Sequence, residues 1–176
     1  MMKKINWLFL VAGTFIMLYV MVSTGKSLNT AATPLGIINL ELAYNHSKAH
    51  AVIAAWAHSN SKNGIDNIKV AIKNTWLDFI FLFFYSLFLF YSCKTLADLF
   101  TGFIHKLGMF LAMGALNAGL LDIGENAGML VTLHGLSTNS ISLFTAICSA
   151  LKWILALSAL AYILLTGPFA LYKKLQ

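Results

Sequence analysis

The chain has 176 residues, of which 59% are hydrophobic and 10% charged, and its mean hydropathy is +0.78. Soluble domains carry roughly 25% charged residues, so this composition excludes an ordinary soluble protein and indicates a single transmembrane domain, residues 1–176. The net charge of +6 comes from twelve lysines with no arginine; without guanidinium forks, and with lysines scattered beside apolar runs, no nucleic acid partner is expected.

Four runs reach the length of about 20 apolar residues that a bilayer-spanning helix needs. The first, residues 5–22, follows Lys3 and Lys4. It exceeds the roughly 7–15 residues of a signal-peptide core and has no convincing small-x-small cleavage site, so it reads as a retained helix. The loop 23–74 comes next and is patterned. Thr33-Pro34 offers a hydroxyl cap followed by proline at the first helical position. From there Ile38, Leu42, Ala49, Ile53 and Trp56 recur at helical spacing, with Asn39, Ser47 and His50 opposite and Glu41 and Lys48 at the border. One amphipathic helix over the outer membrane surface is expected, broken at "SNSKNG". Asp66 then caps a helix that continues into the second span, residues 75–93.

The third span covers residues 107–133 and the fourth 141–165, the latter ended by Gly167 and Pro168. Lys3, Lys4, Lys94, Lys106, Lys173 and Lys174 fall on one side if four helices alternate, and the tight "HGLSTNS" connection has no lysine. The positive-inside rule therefore places both termini in the cytoplasm. The expected fold is all-α, an integral membrane four-helix bundle with an extracytoplasmic amphipathic helix in the first loop.

Ionisable groups inside apolar runs are the main functional signal. The third span carries "LLDIGENAGML", with Asp122, Glu125 and Asn126 on one helical face. On the second span Asn74, Asp78 and Tyr85 form a polar stripe, and on the fourth Cys148, Ser149 and Lys152 do the same. Counting about 1.5 Å per residue from the outer ends puts Asp78, Asp122, Glu125 and Lys152 at a similar depth. A charged side chain facing lipid costs about 3 kcal/mol, so these stripes are expected to face one another. Two adjacent carboxylates in a medium of low dielectric do not readily share full ionisation. The expected state is a Lys152–Asp122 pair beside a protonated Glu125.

Three buried charges are more than helix adhesion requires, whereas Asn74, Ser149 and Tyr85 taken singly read as adhesive. Trp153, next to Lys152, is expected to line the same space. Trp7, Trp56 and Trp76 are expected at headgroup level, with His105 and His134 marking interfaces. His46 and His50, four apart, have a spacing that can hold a metal, but the pattern places no third ligand, and an exposed polar face is the preferred role. Cys93 and Cys148 form no C-x-x-C pair. No P-loop, nucleophile elbow, H-E-x-x-H or c-type haem motif occurs, so no cofactor is expected.

The segments "LELA", "WLDFIFLFFYS" and "GLLDIGENAGML" resemble an uncharacterised family of small bacterial four-helix integral membrane proteins. In these an L-E-L-A element precedes an aspartate-bearing helix and a later L-D-x-x-E-N. The resemblance covers roughly residues 40–130. It implies four spans and Glu41, Asp78, Asp122, Glu125 and Asn126 as shared positions, and it implies no reaction.

The leading expectation is a pocket in the outer half of the bundle that binds a small or lipid-like ligand. Asp122 and Glu125 would form its polar end, Asp78 and Lys152 would set their charge, and Glu41 would close the mouth. The alternatives are a membrane enzyme doing acid–base chemistry on a lipid or isoprenoid, a proton- or cation-coupled transporter, and a non-catalytic assembly or immunity-type partner. Membrane lipid is the expected surrounding, and an oligomer is compatible with the pattern. Gly114, Ala115, Ala118, Gly119, Gly124, Ala127, Ala146 and Ala150 serve either a cavity beside the acids or close backbone contact. The expectation is the cavity, touching both Asp122 and Glu125.

Overall fold

A computed structural model describes residues 4–175, with side chains described over 7–59 and 64–170. Lys3 lies outside the described residues, as do the side chains of Lys4, Lys173 and Lys174 on which the orientation argument partly rests. The described chain is all-helical: α1 (Lys4–Gly25), α2 (Ile38–Glu41), α3 (His46–Asn63), α4 (Asn67–Ala97), α5 (Gly102–Leu133) and α6 (Asn139–Leu175). Helices α1, α4, α5 and α6 are each long and apolar enough to cross a membrane, with mean hydropathies from 1.5 to 2.0. The protein is thus a multi-pass membrane protein.

Local hydrogen bonds set several of the helix ends. Asp66 caps α4, its side chain accepting from the Lys69 backbone N–H at 3.2 Å. Thr138 caps α6 through its hydroxyl, which accepts from the Ile141 N–H at 3.2 Å. At the end of α5 the Leu136 N–H reaches the Val131 carbonyl at 3.1 Å and the Gly135 N–H reaches Thr132 at 3.0 Å. This paired closure needs the left-handed φ of +83° that Gly135 adopts.

The spans are longer than the apolar pattern suggested, and α6 does not stop at Gly167-Pro168. Pro168 lies inside the helix. A proline removes one backbone bond, but in an apolar environment the remaining amides have no better partner than their own helix.

The first loop differs most from expectation. Instead of one amphipathic helix it forms α2 and α3, separated at residues 42–45. Asn45 causes the break: its side-chain oxygen accepts from the Lys48 N–H at 2.9 Å and starts a new helix. Helix α3 then runs through "SNSKN" and ends only before Gly64, whose φ is +66°. Leu42, expected on the buried stripe, is exposed, while Leu40 and Ala43 are buried.

Thr33 caps no helix. Its hydroxyl donates to the Leu28 carbonyl at 2.8 Å, and the Trp56 indole N–H donates to that carbonyl at 2.9 Å. Trp56 is fully buried, so it is a core residue of the loop and not a headgroup anchor. Around it Leu28, Leu40, Ala43, Ala49, Ala71, Met129 and Leu133 form a small core over the adjoining ends of α4 and α5. Asn139 joins α6 to this cap, accepting from the His46 N–H at 2.9 Å.

Helices α4, α5 and α6 pack on one another, whereas α1 packs on α4 and makes no comparable contact with α5 or α6. Small residues hold the three-helix core together. Gly108 faces Tyr162 and Ala97, and Gly128 faces Thr145. The stripe on α5 thus provides close helix contact, contrary to the expectation that it hollows out a cavity. Ala127 and Ala150 are exposed and belong to neither.

A Cβ on Gly119 would stand 2.9 Å from the Ser86 Cβ and 3.0 Å from its Oγ. Gly119→Ala is expected to lower stability by about 1–3 kcal/mol, the range for overpacked interiors, and Ser86→Gly in the same chain to recover much of it. Gly167→Ala, with nothing within 4 Å of the added carbon, is expected not to lower it. Melting temperatures in one detergent check all three.

Candidate functional site

Lys152 on α6 is the centre of the site. It is 7% exposed, and the carboxylates around it are as enclosed: Glu41 7%, Asp122 1% and Glu125 0%. Its ammonium donates to Asp122 Oδ1 at 3.1 Å and to Glu125 Oε1 at 2.9 Å. Glu125 Oε2 is also only 2.8 Å away but lacks a properly angled hydrogen bond. Glu41 Oε2 stands at 3.7 Å. The ammonium is therefore shared by three carboxylates, closest to Glu125, where a pairing with Asp122 alone was expected.

The surrounding polar groups complete the network. Tyr85 on α4 donates its hydroxyl to Asp122 Oδ2 at 2.7 Å, so Asp122 accepts from two helices. Asn126 donates to Asp78 Oδ2 at 2.8 Å, bridging α5 and α4. Ser149 and the Trp153 indole N–H, both on α6, donate to Glu41 Oε2 at 3.3 Å each. Glu41 reaches this depth because α2 ends there and the break after it turns the chain away. The polar stripes on α4, α5 and α6 do face one another, and the first loop supplies a fourth contributor. Asn74 belongs to a different contact: its amide donates to the Met21 carbonyl at 3.0 Å and to Thr24 at 2.8 Å, fastening α1 to α4.

Beside the network lies a cavity of about 430 Å³, within the roughly 300–1,000 Å³ usual for small-molecule sites. Its walls come from Phe15, Leu18 and Met21 of α1, from Phe81, Phe88 and Leu89 of α4, and from Ala156, Leu157 and Leu160 of α6. Glu41, Asn74, Asp78, Asp122, Asn126 and Lys152 line it as well, with Tyr85 and Trp153.

Along α4 the lining runs from Asn74 to Leu89, about 22 Å at helical rise. The charged groups gather towards the loop end, and the other end is lined by apolar residues apart from Thr14, whose hydroxyl donates to the Leu10 carbonyl at 2.8 Å. The space exists because α1 leans on α4 and leaves α6 uncovered. Glu125, expected to touch the pocket, lies behind Lys152 and does not line it.

The remaining candidates stand apart. His46 and His50 are exposed on α3, with ring centroids 6.0 Å apart, and belong to no group of three His, Cys, Asp or Glu side chains among the described residues. Trp7 donates to Ser92 at 3.2 Å and Trp76 is exposed. Buried Cys93 and Cys148 are free thiols. The contact that sequence reasoning missed was the direct bond of Ser149 and Trp153 to Glu41. Spacing four and three residues before and one after Lys152 puts Cys148, Ser149 and Trp153 near one face, but nothing local shows that a loop residue reaches them.

Comparison with protein families, with curated proteins and with solved structures gives no match.

Removing one partner of a buried ion pair costs about 3–5 kcal/mol. Lys152→Met is expected to cost at least this much, because it strands three carboxylates. Adding Asp122→Asn should recover only part of the loss, and adding Glu125→Gln a further part. Melting temperatures of the single, double and triple variants test the sharing. Full recovery in the double variant would show that Lys152 serves Asp122 alone.

Proposed function

We propose that the protein binds a lipid-like amphiphile, with its hydrocarbon chain between α1 and α6 and its polar head at the Lys152 network. The observation that carries this reading is the cavity's own polarity: one long apolar channel that ends on a concentrated set of charges. Apolar burial is worth about 25 cal/mol per Å², so a chain in this channel has a driving force, while the network fixes its direction. A cluster serving helix adhesion alone needs no such space beside it.

The test uses a bromoalkanol of eleven carbons as a fluorescence quencher, with the protein in phosphatidylcholine nanodiscs. Trp153 lines the channel, so a saturable quenching component is expected in the native chain. It should disappear in Trp153→Phe and weaken strongly in Ala156→Phe, which fills the channel. Quenching that rises linearly without saturation, equal in all three proteins, would sink the proposal.

The proposed setting is a bacterial inner membrane with both termini cytoplasmic. It is supported by Lys94 and Lys106 flanking the α4–α5 connection and by a lysine-free α5–α6 connection. In this orientation α2 and α3 lie on the outside, over the polar end of the channel. In a chain lacking Cys93 and Cys148, a cysteine at Ser47 is expected to react with an impermeant maleimide in intact cells. One at Thr101 should react only after permeabilisation, and the reverse pattern would invert the topology.

A further inference from the structure

The donors and acceptors on the channel wall are unevenly used. Every donor-bearing side chain around the polar end is engaged within the protein. Lys152 is held by Asp122 and Glu125, Tyr85 by Asp122 and Trp153 by Glu41. Asn126 gives its amide to Asp78 and Asn74 gives its amide to α1. Acceptors, in contrast, are left over. Asp78 and Glu41 each accept through one oxygen, Oδ2 and Oε2, and among the described residues no donor reaches Asp78 Oδ1 or Glu41 Oε1. Asn126 is fully buried on the same wall, and its Oδ1 has no partner among the described residues.

Charge runs the same way. Glu41, Asp122 and Glu125 share the one ammonium of Lys152, and Asp78 has no cationic partner among the described residues. A phosphate or carboxylate head would bring further acceptors and further negative charge to this wall. A head that donates and carries positive charge would satisfy the leftover oxygens and offset the excess.

Resting on the reading of the channel as an amphiphile site, we infer that the head it takes is a terminal primary ammonium. The ammonium would lie between Asp78 and Glu41, beside the buried carbonyl of Asn126. Lys152 stays engaged with Asp122 and Glu125 and keeps those two acids from competing for it. Such a head can come from a free alkylamine or from an ethanolamine lipid.

The experiment measures saturable Trp153 fluorescence change in phosphatidylcholine nanodiscs with dodecylamine, dodecanol and dodecyl phosphate. Dodecylamine is expected to bind at least about tenfold more tightly than either, a difference of ~1.4 kcal/mol. That preference should shrink in Asp78→Asn and in Glu41→Gln, two variants that leave the Lys152 bonds to Asp122 and Glu125 in place. Nanodiscs containing phosphatidylethanolamine separate the sources: competition with dodecylamine assigns the ammonium to the lipid, and its absence assigns it to a free amine. Equal binding of dodecanol or dodecyl phosphate overturns the ammonium head while leaving the channel reading intact. Saturable binding of no chain at all overturns both.

Discussion

The arrangement depends on one buried ammonium. In a bilayer interior, a carboxylate with no counter-charge is costly to bury, and a lysine is no cheaper. Asp122 and Glu125 on α5 can stay in an apolar helix only if Lys152 on α6 meets them, and Lys152 needs them equally. This mutual requirement allows little sliding of α5 against α6. Tyr85 extends the constraint to α4 through Asp122, and Asn126 does so again through Asp78. Three helices are thus held in one register by contacts at one depth. Gly108, Gly119 and Gly128 let the backbones come close enough for these bonds to form.

Much of this was legible in the sequence. Asp78, Asp122, Glu125, Asn126 and Lys152 stand out because each interrupts a run of apolar residues. The fixed rise of a helix converts their positions into depth. Helical spacing then assigns Asp122, Glu125 and Asn126 to one face, and the cost of exposing charge to lipid turns that face inward. None of these steps needs tertiary information, so they carried through to the structure.

What was not legible depends on contacts across the chain. The stripe from Ile38 to Trp56 fits one helix, and only the capping of α3 by Asn45 divides it. Division lets α2 end with Glu41 directed at Lys152, while α3 carries Trp56 back onto Leu28 and Thr33. Trp56 reads as a membrane-interface residue by its type, yet its indole N–H finds carbonyl and hydroxyl partners inside the loop. Glu125 was placed beside a pocket because it neighbours Asp122 in sequence. Lys152, approaching from α6, stands between Glu125 and the open space.

The origin of that space is the last step. Glycines and small residues suggest both cavities and close packing, and here α5 uses them for packing. The channel arises instead from a missing contact, since α1 rests on α4 alone. Asn74 fixes that position, because both of its amide donors are spent on the end of α1. Further along, Trp7 donates to Ser92, so α1 is fastened to α4 at both ends. With α1 fastened to α4, it cannot swing across to cover α6 without losing these bonds. The uncovered faces of α1 and α6 are apolar, as lipid contact demands, and a hydrocarbon chain entering between them meets the same chemistry as the bilayer. Only on reaching Glu41, Asp78 and Asn126 does it meet something lipid does not offer. Selectivity in the proposed site therefore resides in the head group, and the channel supplies the route.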